Sequence, residues 1–487
     1  MEQQLILVTL LLIPLLVSAA ETPPPPSPSA ASVIIIGAGL SGMVAAKKLS
    51  DAGIRELLIL EATPKIGGRL HKTTFGGYAM EMGAAWFSEG GPQQSPLVDI
   101  AKSIKLRTHT TEFWNISSNT YKQDGGLYSK SEVEEAFAAG KARERLCANL
   151  SAVLNAVPEH DHDISVLGAY HLHKKVPSTP LEMVADYYNN DYKDGQAPQM
   201  TSTKHKHPRH ELVDHGTNVY FVSDPRGFEI MVHHIADQFL DKRDPRLKIN
   251  KVAREITYSK KGVTVMTEDG SIFQARYAIV SVSLGVLQSN LISFKPELPM
   301  WKRLAISDFT MTGYTKIFLK FPFYFWPTDP GSEIFLYAHE QRGYYPIWKH
   351  LENQYPGSNI LYVTVTGEES MRIERQSDEA TQEEAMKVLR KMFGDKIPEP
   401  EAILVTRWSR NRLVKGSFAN WPPRYTKKEF QYLKDPVGPV YFTGEYTNEK
   451  YMGFATGAYF SGIETANDLI NCIKKYACRT HSRGTIA

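Results

Sequence analysis

The 487-residue chain carries 56 Lys and Arg against 53 Asp and Glu, a formal net charge of +3, with 42% hydrophobic and 11% aromatic residues. This is material for a large core in two or three domains, and it excludes a disordered chain, a collagen-like repeat and, with three cysteines, a disulfide scaffold. The basic residues are dispersed, which excludes nucleic acid as an expected partner.

Residues 1–20 hold an apolar run, 5–17, interrupted by Pro14 and followed by Ser18-Ala19-Ala20. The run is too short for a comfortable membrane span and ends in small residues, so it reads as a secretory signal peptide, although Glu2 stands where a Lys or Arg is usual. A Pro-rich linker, 21–30, follows. Secretion to an extracellular space, with no stable membrane span after cleavage, is the expectation. Asn115-Ile116-Ser117 and Asn149-Leu150-Ser151 are candidate glycosylation triplets. Cys472 and Cys478 are close enough to pair if local geometry allows, leaving Cys147 as a buried small hydrophobe.

Four β-branched residues, Val33-Ile34-Ile35-Ile36, precede Gly37-Ala38-Gly39-Leu40-Ser41-Gly42. Met43, Val44, Ala45 and Leu49 then recur at helical spacing, and a second apolar strand ends at Glu61. This order of strand, tight turn, helix and acid-terminated strand is the unit that holds an adenine dinucleotide. Gly37 permits the turn, Gly39 lets backbone N–H groups approach a pyrophosphate, and Gly42 lets the helix lie close to the strand. Glu61 is placed to accept hydrogen bonds from ribose hydroxyls. Six residues on, Gly67-Gly68-Arg69 adds a second glycine turn with a permanent cation. A nicotinamide domain has no need of that turn, whereas FAD, with its phosphates buried, has its charge matched by it, so FAD is the expected cofactor.

These features open a first FAD-binding segment, 31–105. Residues 106–217 are helix-rich, with Leu146, Leu150, Val153 and Leu154 at three- and four-residue spacing, and form the first part of a substrate domain. Within it the run Lys204-His205-Lys206-His207-Pro208-Arg209-His210 is crowded with cations and has no cysteine near, so a solvated loop and no metal site are expected. Residues 218–297 return to the cofactor domain as strands at 246–258, 262–267 and 275–287. Residues 298–405 continue the substrate domain with strands at 314–321, 333–338 and 360–366 and a helix around 382–392. In the first of these Tyr314, Lys316, Phe318 and Lys320 share a face, and the pattern alone reads as a lysine snorkelling from an edge strand. Residues 406–475 close the cofactor domain with a strand, Gly444-Glu445, and Gly453-Phe454-Ala455-Thr456 opening an amphipathic helix, again the parts of an anion site. Residues 476–487 are a tail. The fold class is α/β: a βαβ-type dinucleotide domain in three pieces with a two-piece substrate domain inserted, the site lying where they meet.

The glycine triplet, Glu61 and Gly67-Gly68-Arg69, in this order, resemble the flavin amine oxidase superfamily. The runs MVADYY (183–188), VYFVSDPRG (219–227), SLGVLQS (283–289), TKIFLKFP (315–322) and RGYY (342–345) extend the resemblance, over nearly the whole chain from residue 31, to plant extracellular polyamine oxidases. The resemblance implies a glutathione-reductase-like FAD domain with an inserted α+β domain on a mixed sheet. It also implies noncovalent FAD, a monomer, and oxidation of spermidine or spermine by dioxygen to an aminoaldehyde, a diamine and hydrogen peroxide. By the same likeness Val252 lies beside adenine, and Gly444 and Glu445 hold the FAD chain. Ala84, Trp86, Trp408, Phe418, Phe454 and Ala455 surround the flavin, Lys316 bonds through water to flavin N5, and Tyr314 walls the substrate tunnel.

The chain departs from the family pattern in three places. A glutamate expected soon after the tryptophan of Gly83-Ala84-Ala85-Trp86 stands one position later, at Glu89, with Ser88 in its place. Lys193 and Asp194 replace a tunnel glutamate and phenylalanine, and Phe454 replaces a tyrosine. Glu89 is carried with Lys316 and Tyr314 as a catalytic candidate, and Lys193, Asp194, Phe418 and Phe454 as substrate-binding candidates. Lys193 would repel a cationic substrate in a low-dielectric tunnel unless Asp194 or Asp191 compensates, so altered polyamine preference or reduced activity is expected. The alternatives are an FAD-binding pseudoenzyme and an oxidase of another amine.

Overall fold

The structure, a computed structural model, describes residues 31–111, 113–157, 162–475 and 478. The expected signal peptide, the linker and all of the tail except Cys478 lie outside these residues.

The four β-branched residues fall in the strand Ala31–Ile36, at the centre of an eight-stranded sheet. It pairs in parallel with Leu57–Leu60 on one side and Ile272–Val280 on the other, with Val33 opposite both Leu57 and Tyr277. Leu247–Lys248 extends the first side, and Val440–Phe442 joins Ile272–Val280 in parallel. Three distant stretches of sequence therefore share one sheet. Both faces are covered at the centre of the sheet, which is why residues 33–36, Leu57–Leu60 and the end of Ile272–Val280 are apolar and buried. Val33 and Ile35 pack under the helices Leu40–Asp51 and Ala455–Lys475, while Ile34 and Ile36 pack with Leu284, Phe430 and Phe442. The expected strand 246–258 is two strands. Asn250, at a φ of 56°, turns the chain so that Leu247–Lys248 stays with Leu57–Leu60 and Ala253–Ser259 enters an antiparallel meander.

A second sheet has six strands in the order Ala402–Val405, Tyr314–Lys320, Ile360–Thr366, Ile347–His350, Ile334–Ala338 and Thr120–Lys122. Only the last pairing is parallel, so the sheet is mixed, as expected. Tyr314–Lys320 is flanked on both sides, so Lys316 does not snorkel from an edge.

The helix Lys130–Ala156 starts at a capping box between Ser129 and Glu132. Its buried face is Val133, Ala136, Gly140, Arg143, Cys147 and Ser151, while Val153, placed by spacing on the apolar face, is exposed. The basic run at 204–210 is likewise no solvated loop. Lys204 and Lys206 are buried, Lys206 Nζ donates to Asn190 and Asp194, and the His205 ring stacks on Trp421 at 4.0 Å. Burial holds His205 and His207 down to about 3, so both are neutral packing groups. Among the described residues no group of three or more His, Cys, Asp or Glu is arranged to hold a metal, and no helix is long and apolar enough to cross a membrane. Cys472 and Cys478 form a disulfide, and Cys147 is buried, its thiol pushed up to about 11 by desolvation.

Candidate active site

The glycine turn is dictated by close packing. Gly37 has a φ of 106°, and a Cβ on Gly42 would stand 2.1 Å from the Gly37 carbonyl oxygen, so only glycines let the helix start this near the strand end. Gly39 caps Leu40–Asp51 without a side-chain bond, and Gly67 bridges to it. Glu61 is buried, its Oε2 accepting from the Ala38 N–H at 2.8 Å and its Oε1 from the Thr63 N–H and hydroxyl at 2.9 and 2.8 Å. Arg69 Nη1 donates to Glu445 Oε1 at 2.5 Å and to the Ser417 carbonyl at 2.9 Å.

These residues line one cavity of about 1360 Å³, larger than the roughly 300–1,000 Å³ of a single small-molecule site and roomy enough for a dinucleotide and a second ligand. The starts of Leu40–Asp51 and Ala455–Lys475 open onto it, and neither helix has an acid in its first turn. Two helix N-termini, the Arg69 cation and a ribose-type acid suit the phosphates and ribose of FAD. Glu445, on this lining, has its Oε2 buried without a protein partner, the kind of polar atom a cofactor hydroxyl or ring N–H satisfies. Val252, Gly68 and Gly444 are on the same lining. None of the chain's three cysteines is on it, so no thiol is placed to tether a flavin.

From this cradle the wall continues through Gly83 to Lys316. Nζ of Lys316 donates to the backbone carbonyls of Glu81 at 3.0 Å and Gly83 at 2.7 Å. The ammonium has three donors, so one N–H remains for the cavity, and the neutral amine offers a lone pair instead. Burial pulls this lysine down to about 8, against the opposing pull of the Glu81 carboxylate. Glu81 is itself pushed up to about 7 by burial, eased by the Phe228 N–H. Nearby Trp408 Nε1 donates to the Met82 carbonyl at 2.9 Å, fixing the indole against this turn.

Beyond Lys316 the lining is aromatic. Tyr314 lies 5.7 Å from Phe418 and 6.0 Å from Tyr192, and Tyr192 stacks on Tyr188 at 5.8 Å. Ala84, Trp86, Phe454 and Ala455 also face the cavity, which opens beside exposed Glu134 and Lys141.

Two of the expected site residues are elsewhere engaged. Glu89 is turned off the lining and pairs with Lys102 at 2.8 Å, because the pleat of Trp86–Glu89 sends Trp86 and Ser88 to one face and Glu89 to the other. Asp194 reaches the wall, but its carboxylate is held by Lys206 and by Arg209 at 3.1 Å, while Asp191 is held by Arg342 at 2.5 Å. Both carboxylates are thus bonded to other cations; Lys193 lines the cavity and is pulled down to about 8 by burial, with Arg209 adding to the effect and Glu144 and Asp194 opposing it. Sequence reasoning missed Glu81, Tyr188, Tyr192 and Glu211. The aromatic run around 187–192 was a signal within reach, but the two acids have no local pattern that marks them.

The family described as flavin containing amine oxidoreductase matches residues 40–470. The chain is similar to polyamine oxidase 1 of Zea mays, with 50% identity over 462 residues and 92% of each chain covered. It is also similar to polyamine oxidase 6 of Oryza sativa subsp. japonica, with 48% identity over 463 residues and again 92% of each. Among solved structures, a cofactor-binding redesign of putrescine oxidase superposes with a TM-score of 0.71 at 19% identity, covering 90% of this chain and 98% of that one, a likeness of fold.

Proposed function

The chain belongs to the flavin-containing amine oxidoreductases, and from that premise we propose that it is a secreted FAD-dependent oxidase of spermidine or spermine. One observation carries the reading: the Lys316 amine, fixed by two backbone carbonyls, sits between a glycine-built dinucleotide cradle and an aromatic tunnel. The relatives named polyamine oxidases, matched over 92% of their length, support the substrate class. When bound, FAD would supply the acceptor for a hydride, with its two electrons, from a C–H bond next to a secondary amine, and dioxygen would take those two electrons on to hydrogen peroxide.

The protein's share is orientation, dryness and a proton. Tyr314, Phe418 and Tyr192 exclude water and offer ring faces to the ammonium groups of a polyamine. The reacting nitrogen must be neutral, its lone pair free to form the C=N bond as the adjacent carbon gives up hydride, so a group that titrates near neutrality and can take the amine's proton is useful. Lys316 has that character, since carbonyls fix its position and burial brings it to about 8. Water then divides the oxidised amine into an aminoaldehyde and a diamine. Secretion is supported by the apolar run 5–17, by the exposed position of Asn149 in its glycosylation triplet, and by the Cys472–Cys478 disulfide, a bond favoured in oxidising compartments.

Lys193 favours a second reading, a flavoprotein that binds without oxidising polyamines, since its ammonium opposes a cationic ligand. Anaerobic mixing of the purified protein with spermidine, spermine and a monoamine separates the two. Bleaching of the visible flavin band by a polyamine, with peroxide on admitting air, is the expected result. A yellow protein that none of these amines reduces would overturn the polyamine oxidase reading and leave the second reading or an oxidase of another amine.

A further inference from the structure

Glu211 lies on the short helix His210–His215, is 2% exposed, and lines the cavity. Its Oε1 accepts from the Thr456 hydroxyl at 3.1 Å, while Oε2 is buried with no protein partner. A carboxylate in that state costs folding free energy unless a cation or donor meets it. The neighbouring acids are engaged: Asp214 by Lys450 and the Tyr451 hydroxyl, Asp194 by Lys206 and Arg209, and Glu445 by Arg69.

The surroundings of Glu211 place it among ligand-facing groups. Leu212, Thr217 and Val219 line the cavity beside it, and Val219 is the sheet partner of Ser88, an uncharged lining residue. Its bonding partner Thr456 follows Phe454 and Ala455, which also face the cavity.

We propose that Glu211 is the anchor for an ammonium group of the substrate, the carboxylate that positions a di- or tricationic amine in the tunnel. The proposal rests on the amine oxidase reading. It gives the tunnel a charge that Glu89, Asp194 and Asp191 do not supply, and it sets the docking point apart from Lys193, which repels cations from its own stretch of wall. Burial pushes the Glu211 carboxyl up to about 7, a state that an ammonium beside it would reverse.

The test is calorimetric titration of the oxidised holoprotein, under argon, with 1,8-diaminooctane. Glu211→Gln is expected to keep its flavin and to raise the dissociation constant about thirtyfold, as loss of one partner from a buried charge pair does. A constant within twofold of the wild type would overturn the proposal. Glu211→Asp, which retains the charge one methylene further back, is expected to fall between. If Glu211→Gln does not hold flavin, the wild type and Glu211→Asp decide with 1,8-octanediol, a neutral probe of similar length. Binding of the diol within threefold of the diamine would sink the anchor; a larger gap that Glu211→Asp narrows would uphold it, and a larger gap that Glu211→Asp leaves unchanged would overturn it in favour of the aromatic faces. Failure of every amine to reduce the flavin would count against the oxidase reading and leave the titration to judge Glu211 separately.

Discussion

The two ends of the cavity are built on different principles. At the cradle, backbone does most of the work: glycines that admit no Cβ, helix starts, and one acid and one arginine whose places follow from short motifs. At the tunnel, function falls to side chains brought from far apart in sequence, with Lys193, Glu211, Tyr314 and Phe418 on a common lining. Two of the lysines on the lining make the contrast concrete. Both are drawn down to about 8 by burial, yet Lys316 is fixed by two carbonyl acceptors, with Glu81 alone favouring its charge, whereas at Lys193 the Arg209 cation works against Glu144 and Asp194. A backbone-built site tolerates little change, and a side-chain-built site can have its charges exchanged while the fold stands.

The contrast can be attacked at either end. Gly42→Val should have the largest effect, because its Cβ would meet the Gly37 carbonyl at 2.1 Å; the expected product is a protein without the visible flavin spectrum, and retained flavin would refute the backbone account. Lys316→Met should keep the flavin and lower the rate of anaerobic flavin reduction by about 100-fold, read by stopped flow. Lys193→Glu should raise kcat/KM for spermine by about tenfold through removal of a repelling charge; an unchanged value would mean that the substrate never feels this residue.

The smallest effect is on stability. A carboxyl raised in the fold stabilises it fully below its unfolded value of 4.5, and that contribution is lost as pH rises through its folded value of about 7. For Glu211 the loss is on the order of 2–3 kcal/mol. The wild-type Tm should therefore fall by about a few degrees more than that of Glu211→Gln between pH 4.5 and 7.5, as scanning calorimetry can measure.

The same contrast governs what was legible in the sequence. Gly37, Gly42, Glu61 and Arg69 could be read because their reasons are local: a turn, a close approach, a strand end and a loop cation. Three strands of the sheet around Lys316 followed from their patterns and its mixed character from the resemblance, but its interior place followed from neither, since only pairing with Ile360–Thr366 and Ala402–Val405 removes the edge. The basic run at 204–210 was misjudged because its burial depends on Asp194 and Trp421, neither of which adjoins it in sequence. Glu89 failed by pleat parity, one residue deciding which face receives the acid. Glu211 and Glu81 gave no signal at all, since a buried acid is special only for what surrounds it.

The pairing of Val440–Phe442 with Ile272–Val280, and of Arg69 with Glu445 376 positions away, has a consequence for biosynthesis. A chain emerging from the ribosome can form the first glycine turn early, but the cradle that grips FAD is complete only after the last tenth of the polypeptide has been made. Cofactor capture is thus a late, whole-chain event. A chain ending at residue 438 should release the flavin despite keeping both glycine turns and Lys316.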